Sequence, residues 1–247
     1  MPLAVIGGTG LTQLADLVID HREMVHTPYG QASGPVVRGH LAGVPLMFMA
    51  RHGHGHTIPP HRINYRANLW ALQKAGATQV AAIAAVGGID ANLNPGDLVI
   101  PEQIIDYTSG REATFFEGDP VRHIDFTQPY DALLRGQLIQ AARPLTTPVH
   151  TDGCYGATQG PRLESAAEIQ RMARDGCTIV GMTGMPEAVL ARELDLPYAT
   201  CALVVNRAAG LNEGKPITMA DIEQTLATGM IAVRQLLQAL VRGLSAQ

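Results

Sequence analysis

A chain of 247 residues with 46% hydrophobic and 16% charged residues can bury a sizeable core, which excludes a disordered protein. Its 18 Lys and Arg against 22 Asp and Glu leave a net charge of −4 with no basic block, which argues against nucleic-acid binding. No apolar stretch approaches the length of a membrane span. Three cysteines (Cys154, Cys177, Cys201) without CxxC spacing indicate neither a disulfide framework nor a zinc cluster, so a reduced cytoplasmic protein is expected.

The N-terminal run Leu3-Ala4-Val5-Ile6 follows no charged segment and turns directly into Gly7-Gly8-Thr9-Gly10, so it reads as a first buried strand and not a signal peptide. Further apolar strands are expected at 45–49, 80–86, 97–100, 178–180 and 197–205, their unbroken character implying a sheet covered on both faces. Helical spacing runs over 63–75 and stops at Gly76, then over 164–175 and over 186–194, the last opening on a proline. Thr218-Met219-Ala220-Asp221 resembles a variant capping box and predicts a helix to about residue 242. Residues 108–129 are polar, punctuated by Gly and Pro and aperiodic, hence an excursion loop. The alternation predicts one α/β domain over 1–247, a central mixed β-sheet flanked by helices.

Chemistry concentrates at the expected strand ends. Gly7-Gly8-Thr9-Gly10 can form an anion nest from backbone N–H groups and a hydroxyl, and it is neither a Walker loop nor a GxGxxG turn. Arg51-His52-Gly53-His54-Gly55-His56-Thr57 follows the second strand and admits two readings. His52, His54 and His56 alternate as on a strand and could share a face for a metal. Yet no Asp or Glu lies between His40 and Asp90 and HExxH is missing, so an anion held by the Arg51 fork and His52 is favoured. Ala84-Ala85-Val86-Gly87-Gly88 ends the third strand with small residues. Several Gly-rich strand ends together mark the place where α/β sheets bind ligands. Glu164 and Glu187 are each expected in the first turn of a helix, where the dipole alone would justify them. Asn206, at the end of the last strand, could be a simple turn former.

The residues then match a family. Gly7-Gly8-Thr9-Gly10, Arg51-His52-Gly53 with His56-Thr57, Asn64-Tyr65-Arg66-Ala67-Asn68 and Asn94-Pro95-Gly96-Asp97 resemble the trimeric purine nucleoside phosphorylases. So do Gly160-Pro161-Arg162, Met182-Thr183 and Pro186-Glu187, with the methylthioadenosine phosphorylase branch the nearest. The resemblance spans the chain in order. It implies the nucleoside phosphorylase fold, a homotrimer, and reversible displacement of a purine from a ribosyl carbon by phosphate, a co-substrate, with no cofactor and no metal. It also assigns roles: Thr9, Arg51, His52, Thr183 and the Ala85 backbone to phosphate, Met182 to the ribose, and His56 to the sugar or its 5′ group. His123 could touch a neighbouring subunit's 5′ pocket.

The base and the 5′ group are expected to differ from that branch. Methylthioadenosine phosphorylases carry aspartates where this chain has Asn206 and Ala208, and a serine where it has Glu164. A carboxylate at 164 accepts the N1 proton of a 6-oxopurine but opposes the N1 lone pair of adenine, while an amide at 206 can donate to N7 or O6. Leu163 stands where many relatives stack an aromatic on the base. Met219 and Ile222 fall where that branch lines its 5′ pocket with apolar groups. A 6-oxopurine with an apolar 5′ substituent is 5′-methylthioinosine, which a separate deaminase would have to supply. Inosine/guanosine and methylthioadenosine phosphorolysis are the alternatives.

Overall fold

The computed structural model describes residues 2–212 and 214–245, so residues 1, 213, 246 and 247 of the expected domain lie outside it. The chain opens with β1 (Leu3–Gly7), β2 (Leu17–Glu23), β3 (Val36–Leu41) and β4 (Val44–Ala50), β4 returning parallel to β1 and edged by antiparallel β3 and β2. Helix α1 (Tyr65–Lys74) leads to β5 (Gln79–Gly88), and then come β6 (Leu98–Val99), β7 (Gln103–Asp106), α2 (Ala132–Ala142), β8 (Val149–His150) and β9 (Cys154–Ala157). The chain closes with α3 (Ala166–Arg174), β10 (Ile179–Gly181), α4 (Gly184–Glu193), β11 (Tyr198–Arg207) and α5 (Met219–Ser245). All eleven strands form one mixed sheet in the order β2-β3-β4-β1-β5-β10-β9-β7, with β11 on β5 carrying β6 and then β8.

The unbroken apolar strands are explained by burial on both faces. Along β1, β4, β5 and β11, Leu3, Val5, Leu46, Phe48, Ile83 and Leu203 pack toward α2 and α5. Their alternates Ala4, Ile6, Met47, Met49, Ala82 and Val204 pack toward α1 and α4. Asn64 caps α1 through Ala67 N at 3.0 Å, and Thr218 and Asp221 form the expected cap of α5, with Asp221 N 3.2 Å from Thr218 Oγ1.

Some elements lie outside the expected set. In β2 only Leu17 is buried, so the edge strand Leu-Val-Ile-Asp-His-Arg-Glu lacks a buried run. Helix α2 is apolar nearly all round, with Gly136 at its middle, which hides its 3.6-residue period although Asp131 caps it through Leu134 N at 2.8 Å. Two boundaries are corrected. Helix α3 begins at Ala166 because Ser165 and Glu168 make a full capping box, so Glu164 precedes the helix and is not in its first turn. In α4, Met185 and Pro186 depart from helical geometry, and regular turns start at Glu187. No regular element falls within residues 108–129, as expected of an excursion loop.

Candidate active site

The site lies where the sheet forks. On one side β5 is paired along its length with β11. On the other it pairs with β1 through residues 79–82 and with antiparallel β10 only at 87–88. Residues 83–86 between these partners border the fork, and the ends of β1, β4 and β10 converge on it. An extra residue in β11, between the Val204 and Asn206 pairings, makes a bulge beside Asn206. A cavity of about 400 Å³ fills the fork, and all twelve residues assigned from the sequence line it: Thr9, Arg51, His52, His56, Ala85, Leu163, Glu164, Met182, Thr183, Asn206, Met219 and Ile222.

Arg51 follows β4, and its N–H donates to Gly7 O at 2.9 Å, locking the ends of β1 and β4 together. Its side chain is 1% exposed. Nε and Nη2 donate to Glu187 Oε2 and Oε1, both at 2.7 Å, and Nη1 donates to Ile83 O at 2.9 Å. A Cβ on Gly8 would fall 2.7 Å from Ile83 O and 2.8 Å from Arg51 Nη1, so only glycine lets the first turn press against the guanidinium. Glu187 is 0% exposed and also accepts from Tyr198 OH at 2.9 Å. Burial works against the charge on Arg51, but the charge and hydrogen bonds of Glu187 outweigh it and hold the guanidinium above its ordinary range. Arg51 therefore supplies directed N–H donors, one on each Nη beyond those committed, while its net charge is neutralised. Glu187 is thus the counter-ion of Arg51 rather than a partner of the helix dipole. Thr183 lines the cavity just before the kinked start of α4, and its hydroxyl makes no capping bond there.

The histidines do not share a face. Residues 51–56 form a turn rather than a strand, with positive φ at Gly53, Gly55 and His56; His52 is buried, and His54 is exposed and off the cavity. His52 Nδ1 lies 2.8 Å from Ile58 O, and because a carbonyl only accepts, Nδ1 carries the proton and Nε2 is left as an acceptor. The His56 ring lies 4.2 Å from that of His52, and burial lowers its pKa. Burial first, then the charge of Arg51, push His52 down to about 4. Between that value and the unfolded-state value of about 6.5 the unfolded chain binds the extra proton, so this contribution to stability is complete above about pH 6.5 and is lost as pH falls through 4. Denaturant unfolding measured from pH 7 to pH 4 is expected to show this acid-labile component, and a His52→Gln variant to lack it. An equal acid limb in that variant would contradict the assignment.

At the two residues expected to read the base, Glu164 Oε1 accepts from Thr158 Oγ1 at 2.6 Å, and Asn206 Nδ2 donates to Arg207 O at 2.7 Å, leaving one of its amide protons and its oxygen uncommitted. Arg111, from the excursion loop, staples the surrounding loops. Its Nη1 donates to Met182 O, Met185 O and Tyr65 OH, its Nη2 to Thr158 O and Gln159 O, and its Nε to Gln159 Oε1, all at 2.6–3.2 Å. His123 is exposed and does not line the cavity. Sequence reasoning gave no role to Arg111 or Thr158. For Glu187 the available signal was the rule that a buried arginine needs a buried carboxylate. Among the described residues no group of three or more His, Cys, Asp or Glu is placed to hold a metal ion.

Arginine N–H donors, a threonine hydroxyl and a carboxylate–amide pair line one cavity, a set of donors and acceptors that suits an oxyanion beside a polar heterocycle. This is the class of site a phosphorylase requires. The chain belongs to the phosphorylase superfamily, whose family model matches residues 2–242. It is 54% identical over 233 residues to a probable S-methyl-5′-thioinosine phosphorylase of Pseudomonas syringae pv. tomato, covering 94% of each chain. It is 44% identical to a 6-oxopurine nucleoside phosphorylase of Pyrococcus furiosus, over 91% of this chain and 86% of the relative. Among solved structures, methylthioadenosine phosphorylase from Schistosoma mansoni in complex with adenine superposes with a TM-score of 0.95 at 32% identity, over all of this chain and 93% of that one.

Proposed function

We propose that this chain cleaves 5′-methylthioinosine with inorganic phosphate, reversibly, giving hypoxanthine and 5-methylthioribose 1-phosphate. The observation that carries the reading is the presence of Glu164 and Asn206 in the same cavity as Arg51, Thr183 and the apolar Ile222 and Met219. The C1′–N9 bond breaks with its electron pair going to the purine, while a phosphate oxygen forms the new bond to C1′. Thr9, Thr183, the spare N–H groups of Arg51 and the Ala85 backbone donate to the phosphate, His52 Nε2 accepts from its P–OH, and Met182 packs under the ribosyl cation. Glu164 accepts a hydrogen bond from N1–H of the purine, and Asn206 donates to N7 or O6 as charge grows on the leaving base; the proton that completes hypoxanthine is the one the hydrogen phosphate ion gives up on forming its ester. Leu163 flanks the base, and His56, Ile222 and Met219 border the methylthio group.

We further place the chain in a cytoplasmic homotrimer. Leu163 and Met219, 43% and 63% exposed, leave apolar surface at the cavity for a neighbouring copy to cover. No described helix is long and apolar enough to cross a membrane. The Asn206→Asp variant tests the base assignment. Its kcat/KM for methylthioinosine is expected to fall about 10²-fold while that for methylthioadenosine holds or rises, because a donor to the 6-oxopurine is replaced by an acceptor. If neither value changes, Asn206 does not read the base.

A further inference from the structure

Glu164 borders two cavities, the site and a neighbouring one of about 530 Å³ that also contains Arg162 and Arg171. It precedes the capping box of α3, so no helical turn fixes its side chain. A free carboxylate there has two places to go, although Arg162 is already held by Glu168 at 2.7 and 2.8 Å and Arg171 lies 3.7 Å from Asp175. Thr158 lines the second cavity and not the site, so it meets Glu164 from the far side of the site. It is 8% exposed, its N–H donates to Gly181 O at 2.8 Å, and its carbonyl accepts from Arg111 Nη2 at 3.2 Å. The backbone of Thr158 is thereby anchored to the end of β10 and to the excursion loop. Its hydroxyl faces two acceptors, Glu164 Oε1 at 2.6 Å and Gly181 O at 3.4 Å, and the shorter, charged one takes the proton.

We propose that Thr158 is the positioning residue for base selection: its hydroxyl ties Glu164 Oε1 back at the edge of the second cavity and leaves Oε2 to meet the base. The inference rests on the reading of Glu164 as the N1 partner. A latched carboxylate rewards a base with an N1 proton and opposes one with an N1 lone pair; an unlatched carboxylate does neither well.

Thr158→Val keeps the shape and removes the donor, Thr158→Ser keeps the donor, and Thr158→Ala is a second variant without it should the valine variant not fold. Steady-state kinetics with methylthioinosine and methylthioadenosine, with phosphate varied separately, read the result. Without the hydroxyl, KM for methylthioinosine is expected to rise about tenfold and its preference over methylthioadenosine to fall by at least about tenfold, the worth of a hydrogen bond to a charged group. The KM for phosphate stays unchanged, and Thr158→Ser retains the parent preference. An unchanged preference, or an equal loss for both nucleosides, overturns the proposal. Glu164→Gln separates the two layers. If it lowers the preference while Thr158→Val does not, the latch alone fails; if it leaves the preference intact, the assignment of Glu164 to the base fails with it.

Discussion

Glu187→Ala is expected to cost about 3–5 kcal/mol of folding stability, the effect of breaking a buried ion pair by removing one partner. The guanidinium of Arg51 would remain buried after losing both of its 2.7 Å acceptors, and Tyr198 OH would lose its acceptor at 2.9 Å. Water has little access to compensate, because Arg51 is among the largest fully buried side chains of the protein. The same loss frees the guanidinium to rotate, so phosphate-dependent turnover falls along with stability. Glu187→Gln retains the shape and one acceptor but not the charge, and is expected to lie between the two. Urea unfolding of the three proteins gives the comparison directly. A loss below about 1 kcal/mol for the alanine variant, the ordinary scale of an exposed pair, would contradict a buried, mutually dependent pair.

The second large effect is expected at Arg111. Its six hydrogen bonds join the loop that begins with Thr158 to the passage from Met182 to Met185, the first proposed to border the base and the second the ribose and phosphate. Catalysis depends on holding nucleophile, sugar and leaving group in one geometry, and a displacement of about 1 Å reduces rate about 10²-fold. Arg111→Ala is expected to lower kcat/KM by that order. Arg111→Lys does not rescue it, since three donors on one ammonium cannot replace a planar fork reaching five residues. Kinetics and unfolding curves of both variants decide the matter. Parent kcat/KM in a folded alanine variant, or full rescue by lysine, would remove Arg111 from the positioning of the site.

The parts of the protein legible in its sequence are those specified locally. Strands β1, β4, β5 and β11 announce themselves because both faces are buried and their central positions are almost all apolar. The residues read from the glycine-rich ends of those strands meet in one cavity because such ends converge at the fork. Edge strand β2 and short β9, Cys-Tyr-Gly-Ala, carry no such run. Their pairing comes from neighbours distant in sequence. The supporting residues of the site stay hidden for the same reason. Glu187 lies 136 positions from Arg51, and the acceptors of Arg111 are mostly backbone carbonyls, which every residue possesses. Apparent alternation misled at His52, His54 and His56, where positive-φ glycines fold the segment into a turn.

The central claim, that phosphate is bound at Arg51 while the purine is chosen at Glu164 and Asn206, is tested most directly on the unaltered protein. Phosphate-dependent kcat/KM should be measured side by side for methylthioinosine, inosine, methylthioadenosine and adenosine. The site predicts methylthioinosine first, with inosine below it for want of the apolar 5′ group. Both adenine nucleosides should fall lower by orders of magnitude, because they leave buried polar groups unpaired. Comparable turnover of methylthioadenosine would contradict the base assignment, and a preference for inosine would contradict the 5′ assignment.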